Sequence, residues 1–364
     1  MDYTMLTIVI AVVAAGLVML LSASAPRANS SSGDSYYFFK RQLFFAVAGM
    51  AGMLVLSKVS YKRYRDMTPY LAAGSILLLI LVLIPGIGVK INGARRWLFG
   101  VIQPSELVKP VVGIVFARAI AFRNLDLRHI RNYKGLIPAA IFLVIVAGLM
   151  ILEPHVSGTI IIVGIAVVIM IAAGMPVIPV AIIGAVLLIA VVGGSYLFSP
   201  TRWARITSFI DPFSDTQGNS YQIVQSIYAI GSGGITGLGL GQSVQKFMYL
   251  PEPYNDFIFA IVCEELGLVG AIGVMGLFAV LIWRGVRIAL NAPDKYSMLL
   301  ASGIVAQIGI QATINMGVAT GTIPNTGAAL PFFSYGGTSM LTLLCEMGIL
   351  LNISRASKTN YKLK

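Results

Sequence analysis

The chain has 364 residues, 57% of them hydrophobic and only 11% charged, with a formal net charge of +12. So much apolar length with so little charge excludes an ordinary water-soluble globular protein. A backbone in hydrocarbon must satisfy its own hydrogen bonds, so runs near the ~20 residues needed to cross ~30 Å predict helices rather than open strands.

Taken in chain order, spans are predicted near 5–24, 42–58, 69–86, 105–122, 135–152, 157–174, 177–198, 267–290, 297–317 and 333–353. The expected fold class is an all-α polytopic membrane protein of about ten transmembrane helices. It forms one integral membrane domain over 1–364, with a large outer loop, about 199–266, between the seventh and eighth. The first span is expected to stay as an anchor. Ala23, Ser24 and Ala25 resemble a cleavage site, but residues 1–24 contain no Lys or Arg and the apolar run is too long. With the amino terminus inside, sixteen Lys and Arg fall at the inner side, nine on the outer loops, and Lys109 alone within a span. That asymmetry orients the chain with both termini cytoplasmic and accounts for the net charge without nucleic acid.

Loop 87–104 is polar enough for a hairpin-like turn. Loop 199–266 is long, yet its aromatic residues, among them Trp203, Tyr221, Phe247 and Tyr254, predict a folded element rather than a spacer. Ser199 and Pro200 suit a helix start, with Trp203, Ile206 and Ile210 on one face of an interfacial helix. A second amphipathic piece runs from Tyr221 to Ile230. The glycine run that follows lacks the Lys-Ser/Thr ending of a nucleotide loop and reads as a tight turn.

The densest chemistry lies in residues 245–270, which hold Glu252, Asp256, Glu264 and Glu265 in a chain with fourteen acidic residues. Asp256 sits between a Pro-broken loop and an apolar run, where a carboxylate is costly to keep. It reads either as a base that takes a proton from a hydroxyl at the outer surface, or as a helix N-terminal Asp favoured by the dipole. Glu106 and Lys109 are three apart and share a helix face, as a structural salt bridge or as part of a head-group site. Arg41, Arg95 and Arg96 add cations on the same side, able to meet a phosphate or merely to snorkel. Glu346 stands in the last span as a helix contact or part of a polar cavity. Cys263 and Cys345 read as buried free thiols. His129 and His155 fall on opposite sides of the membrane and cannot share a metal.

In order along the chain, KRQLFFAVAG (40–49), NGARRWLFGVIQPSELVKP (92–110), DPFSDTQGNSYQIVQSIYAIGSGG (211–234), GLGLGQSVQKFMYLPEPYNDFIFAIVCEELGLVG (237–270) and TGAALPFFSYGGTSM (326–340) resemble the SEDS family (FtsW, RodA and SpoVE). The first and fourth look more like its division and sporulation branch. The resemblance implies a peptidoglycan glycosyltransferase that polymerises lipid II at the outer face of the bacterial cytoplasmic membrane, at the division septum or in sporulation. It implies Asp256 as the catalytic aspartate. For the substrate it implies Arg41, Arg96, Trp97, Glu106 and Lys109, and, within the matching segments, Lys246, Glu265 and Ser334. One departure stands out: His155 replaces the usual Asp of a QPDLGT motif, and Glu153 precedes it. The implied partners are lipid II, a class B penicillin-binding protein and other divisome membrane proteins. A divalent cation, Mg or Mn, is compatible with the chemistry, but no ligand cluster in the sequence calls for one. Two rival functions remain open, a lipid flippase or transporter and a non-catalytic scaffold. Against the flippase stands the gathering of the candidate residues on the outer side rather than at the midplane.

Overall fold

The apolar runs do fold as helices, and what interrupts them is informative. The computed structural model describes residues 1–91, 94–123, 125–153, 155–198, 209, 211–216, 218, 220–247 and 249–362. Helix α1 is Tyr3–Ser32, α2 Tyr37–Leu56 and α3 Lys62–Leu83. A two-stranded antiparallel hairpin follows, β1 Gly88–Ile91 with β2 Ala94–Leu98, where the sequence predicted a hairpin-like turn. Then come α4 Pro104–Phe122, α5 Ile137–Leu152, α6 Val156–Ala172 and α7 Val177–Phe198. Outside the long spans lies α8, Tyr221–Gly233. The chain closes with α9 Ile258–Leu290, α10 Lys295–Ala319 and α11 Gly337–Lys362.

Among the described residues, seven helical segments are long and apolar enough to cross a membrane: α1, α2, α3, Asn132–Leu152, α9, α10 and α11. Helix α6 and the start of α7 are apolar but shorter. Helix α4 has the length, yet it carries Glu106, Lys109 and Arg118. Charge inside a span is expensive, so those side chains need partners within the bundle. Burial agrees. Helix α4 runs among α3, α6 and α10, and α10 and α11 are the most enclosed of the spanning helices.

The outer loop ends earlier than the sequence suggested. Helix begins again at Ile258 rather than at 267, and Gly267 breaks it with φ +66°. Residues Ile258 to Glu265 are all buried, so the loop dips back into the bundle before the long span begins. The sequence placed Glu264 and Glu265 at the end of the 199–266 loop. The structure supplies them with partners from the preceding loop, described below. The predicted second amphipathic piece is present as α8, packed on α9 with Ile223, Val224 and Ala229 inward. Trp203, Ile206 and Ile210 lie outside the described residues.

Both chain ends meet at one face of the bundle. Asp2 N–H donates to Ser354 Oγ at 3.1 Å, and the Asp2 carboxylate pairs with Arg284 at 2.8 Å. Asn352 accepts from Tyr61 N and donates to Ser57 O, joining α11 to the α2–α3 turn. The termini therefore share a side, as the charge pattern predicted.

Candidate functional site

Asp256 lies in the turn just ahead of α9, half-buried, and the turn is fixed by three successive carbonyls. Tyr254 O accepts from Tyr335 N at 2.9 Å, Asn255 O from Ser334 Oγ at 2.5 Å and Asp256 O from Asn315 Nδ2 at 2.8 Å. Buried backbone groups must find partners, and here the donors come from α10 and from the segment before α11. The helix N-cap is Phe257, so Asp256 stands one residue ahead of it, at the N-terminal end of α9. Its Oδ2 faces the backbone of Gly327: a Cβ added there would stand 3.4 Å away, and φ +73° already favours glycine.

Residues 325–330 form a strap across this region. Asn315 Nδ2 also donates to Ala328 O at 2.7 Å, Gln311 Nε2 to Ala329 O at 3.0 Å and Ser157 Oγ to Gly327 O at 3.3 Å. Gln311 reaches on to the predicted ion pair. Lys109 Nζ lies 2.5 Å from Glu106 Oε1 and 3.4 Å from Gln311 Oε1, and both charged side chains are almost fully buried. The Glu106–Lys109 pair and the Asp256 turn thus share one strap, through adjacent amides on α10.

The remaining sequence candidates sort by surroundings. Arg41 is exposed at the start of α2, over the Tyr37 ring at 5.2 Å and beside Tyr335. Its neighbour Gln42 is buried and holds Ser334 O and Gly336 N. Ser334 serves the Asn255 carbonyl and so positions the residue before Asp256. Arg96 donates from Nε to Glu153 O at 3.2 Å. Trp97 is half-buried on β2 opposite Val89. Lys246 and Glu265 pair with each other at 2.7 Å, in a buried network with Ser22 of α1. Glu264 accepts from Ser243 Oγ and from the amides of Val244 and Gln245. These contacts clamp the glycine-rich loop onto α9, so the geometry gives Lys246 and Glu265 to each other.

The departure at His155 has a physical context. Burial holds the His155 imidazole well below its ordinary range, with Arg96 and Lys109 adding to the effect. Burial also pushes the Glu153 carboxyl up to about 8, against the pull of Arg96. Among the described residues no group of three or more His, Cys, Asp or Glu side chains is placed to hold a metal ion. Sequence reasoning missed Gln42, Gln311 and Asn315. Gln42 sits beside Arg41 in the KRQ motif. Gln311 and Asn315 are four apart in an apolar helix and so share a face, a signal that was available.

What the arrangement offers is a carboxylate on a hydrogen-bonded turn, at the end of the bundle away from the chain termini, with cations and a buried ion pair on linked elements. Known proteins share its frame. A family model described as cell cycle protein, covering FtsW, RodA and SpoVE, matches residues 2–359. Stage V sporulation protein E of Bacillus subtilis is 43% identical over 324 residues, 88% of this chain and 87% of that one. The probable peptidoglycan glycosyltransferase FtsW of Trichlorobacter lovleyi is 40% identical over 363 residues, 98% and 94% of the two chains. Among solved structures, a chain of a peptidoglycan synthase complex that coordinates polymerization and crosslinking superposes with a TM-score of 0.80 at 28% identity, covering 97% of each chain. Rod shape determining protein RodA of Thermus thermophilus superposes with a TM-score of 0.70 at 28% identity, covering 97% of this chain and 96% of that one.

Proposed function

The chain belongs to the FtsW, RodA and SpoVE family and is a membrane-embedded peptidoglycan glycosyltransferase, and from that premise we propose that it polymerises lipid II with Asp256 as general base. The acceptor GlcNAc 4-hydroxyl attacks the anomeric carbon of the donor MurNAc. A C–O bond forms there as the bond to the lipid-linked pyrophosphate breaks, and the hydroxyl proton passes to Asp256. An alcohol is a weak nucleophile, and a base placed on its proton contributes ~10²–10⁴ in rate. The departing pyrophosphate needs positive charge, supplied in this reading by Arg41, Arg96 and Lys109, with Glu106 holding Lys109 in place. Trp97 would pack against the substrate beside Arg96. No step is routed through a metal.

The observation that supports this most is the pinning of three successive carbonyls around Asp256. A base must be held still to be useful, and Ser334 and Asn315 hold this one from two elements. In the same reading the amino and carboxyl termini are cytoplasmic, the 199–266 loop faces outward and the protein works at the septum. A class B penicillin-binding protein is its crosslinking partner. Its single helix would lie on the outward face of α9, where Gly273 and Gly276 leave open space.

Polymerisation of lipid II by the purified protein, alone and with such a partner, tests this. Asp256→Asn keeps the size of the side chain but not its basicity. It is expected to fold and bind substrate normally while turnover falls ~10²-fold or more. Near wild-type strand synthesis by that variant would remove Asp256 from the chemistry and bring the flippase and scaffold readings forward.

A further inference from the structure

Away from the outer site, a groove of about 530 Å³ opens between α6, α9 and α10. Its walls are apolar side chains such as Val168 and Ala172 on α6, Val286 and Leu290 on α9, and Met298 and Ile314 on α10. Among its lining residues only Ser302 and Thr313 carry polar side chains, and Ser302 Oγ already donates to Met298 O at 2.9 Å. Met298 and Ile314 are sixteen residues apart, about 24 Å along a helix at 1.5 Å per residue. That exceeds one leaflet, about half of a ~30 Å hydrocarbon core. The groove is therefore long enough for an extended acyl chain.

One end of it is cationic. Helix α6 finishes at Ala172, and two residues on Gly174 lies beside Arg128, whose Nε would be 3.9 Å from a Cβ there. Lys295, at the first turn of α10 and one turn before Met298, donates from Nζ to Leu125 O at 2.7 Å. That bond brings its ammonium to the loop that carries Arg128. Arg287 stands three residues before Leu290 on α9, over the Trp283 ring. The nearby carboxylates are committed: Asp126 to Arg128 N and His129, Asp294 to Tyr61 and Ser297. Basic pockets between transmembrane helices on the cytoplasmic side attract anionic head groups.

We propose that this groove is a binding site for one anionic phospholipid, an acyl chain lying between α6, α9 and α10 and its phosphate meeting Arg128, Lys295 and Arg287. The occupant bears on the outer site through α10. One face of that helix lines the groove, and another carries Gln311 and Asn315 to the strap and to Asp256. Placing the lipid in the cytoplasmic leaflet rests on the orientation proposed above; binding itself does not.

The test is native mass spectrometry of the full chain from detergent containing phosphatidylglycerol, phosphatidylcholine or a polyprenyl phosphate, with thermal melting alongside. The wild type is expected to retain one phosphatidylglycerol in preference to phosphatidylcholine, and to melt several degrees higher with it. Gly309→Phe and Ser302→Phe, each filling the groove, are expected to lose the retained lipid. The pair Arg128→Gln and Arg287→Gln is expected to lose the preference while keeping a weakly held chain. Equal retention of the two phospholipids by the wild type, retention unchanged by both fillings, or displacement by the polyprenyl phosphate would each overturn the proposal. Should a filled variant not fold, head-group selectivity of the wild type decides alone. Loss of polymerisation with lipid retention intact would count against the proposed function, not against this site.

Discussion

Glu153 is a fully buried carboxyl whose two oxygens find no hydrogen-bond partner among the described residues, and this sets a pH response. Burial raises it from its ordinary value of 4.5 to about 8. The folded protein therefore keeps a proton that the unfolded chain releases, and stability falls as pH rises from 4.5 through 8. The slope is about 1.4 kcal/mol per pH unit, flattening above the folded value. His155 acts at the other end, because a depressed imidazole removes stability as pH falls below its ordinary 6.5. Melting between pH 7 and pH 9, compared between wild type and variant, tests Glu153. The wild type is expected to lose stability toward pH 8, and Glu153→Gln to fall less steeply and to be more stable at pH 9. An unchanged slope in the variant would assign the titration elsewhere. The Glu106–Lys109 pair behaves differently, since breaking a buried pair strands a charge at a cost of about 3–5 kcal/mol. Glu106→Gln and Lys109→Met should each destabilise by that order, while the double variant loses less than the sum; strict additivity in melting and polymerisation would show the two uncoupled. Asp256, Glu106 and Lys109 were legible in the sequence because charges beside apolar runs are rare. Gln311 and Asn315 left only their shared helix face as a signal, and their role shows once their carbonyl partners are in place.

At the scale of elements, the break in α9 is the feature that folds the outer loop. Gly267 at φ +66° turns the chain from the buried Ile258–Glu265 stretch into the long span, and the glycine-rich loop closes against it. A Cβ on Gly267 would lie 2.3 Å from Gly237 N and 2.5 Å from Ile235 O, contacts that ordinary side chains do not make. Leu238 N and Gly239 N donate to Glu264 O and Glu265 O, while the side chains of the same two glutamates hold Ser243 to Lys246. Gly267→Ala is therefore expected to cost at least about 1–3 kcal/mol from the backbone alone, with the steric clash added. It should open loop 235–247 to protease before the bundle melts; a variant with wild-type melting and wild-type cleavage would mean that the loop is held elsewhere. The sequence showed this loop to be folded through its aromatic content. It hid the boundary, because two adjacent glutamates look solvated until Ser22, Ser243 and Lys246 arrive from distant positions. The hairpin at 88–98 was legible for the opposite reason, being local.

Across the whole molecule, the fold class was written in hydropathy, because it is a sum over many residues and tolerates local error; the distribution of Lys and Arg predicts the orientation by the same kind of sum. The individual spans were less secure: α4 hides three charges that only its central position among α3, α6 and α10 can shelter. Orientation also decides the function, since lipid-linked substrate polymerised outside needs Asp256 and its strap at the outer end. The two termini bind each other through Asp2 and Ser354, so one labelled end fixes both. Gln242 is exposed on the clamped glycine-rich loop, and His129 is exposed on the basic loop between α4 and α5. The native thiols interfere little, Cys263 being buried and Cys345 partly so. With Gln242→Cys and His129→Cys made separately, a membrane-impermeant maleimide applied to intact spheroplasts is expected to label the first and to reach the second only after lysis. Labelling of His129→Cys in intact spheroplasts would invert the bundle. Asp256, Arg41 and Arg96 would then face the cytoplasm, and a glycosyltransferase building strands on the outer surface could not use them.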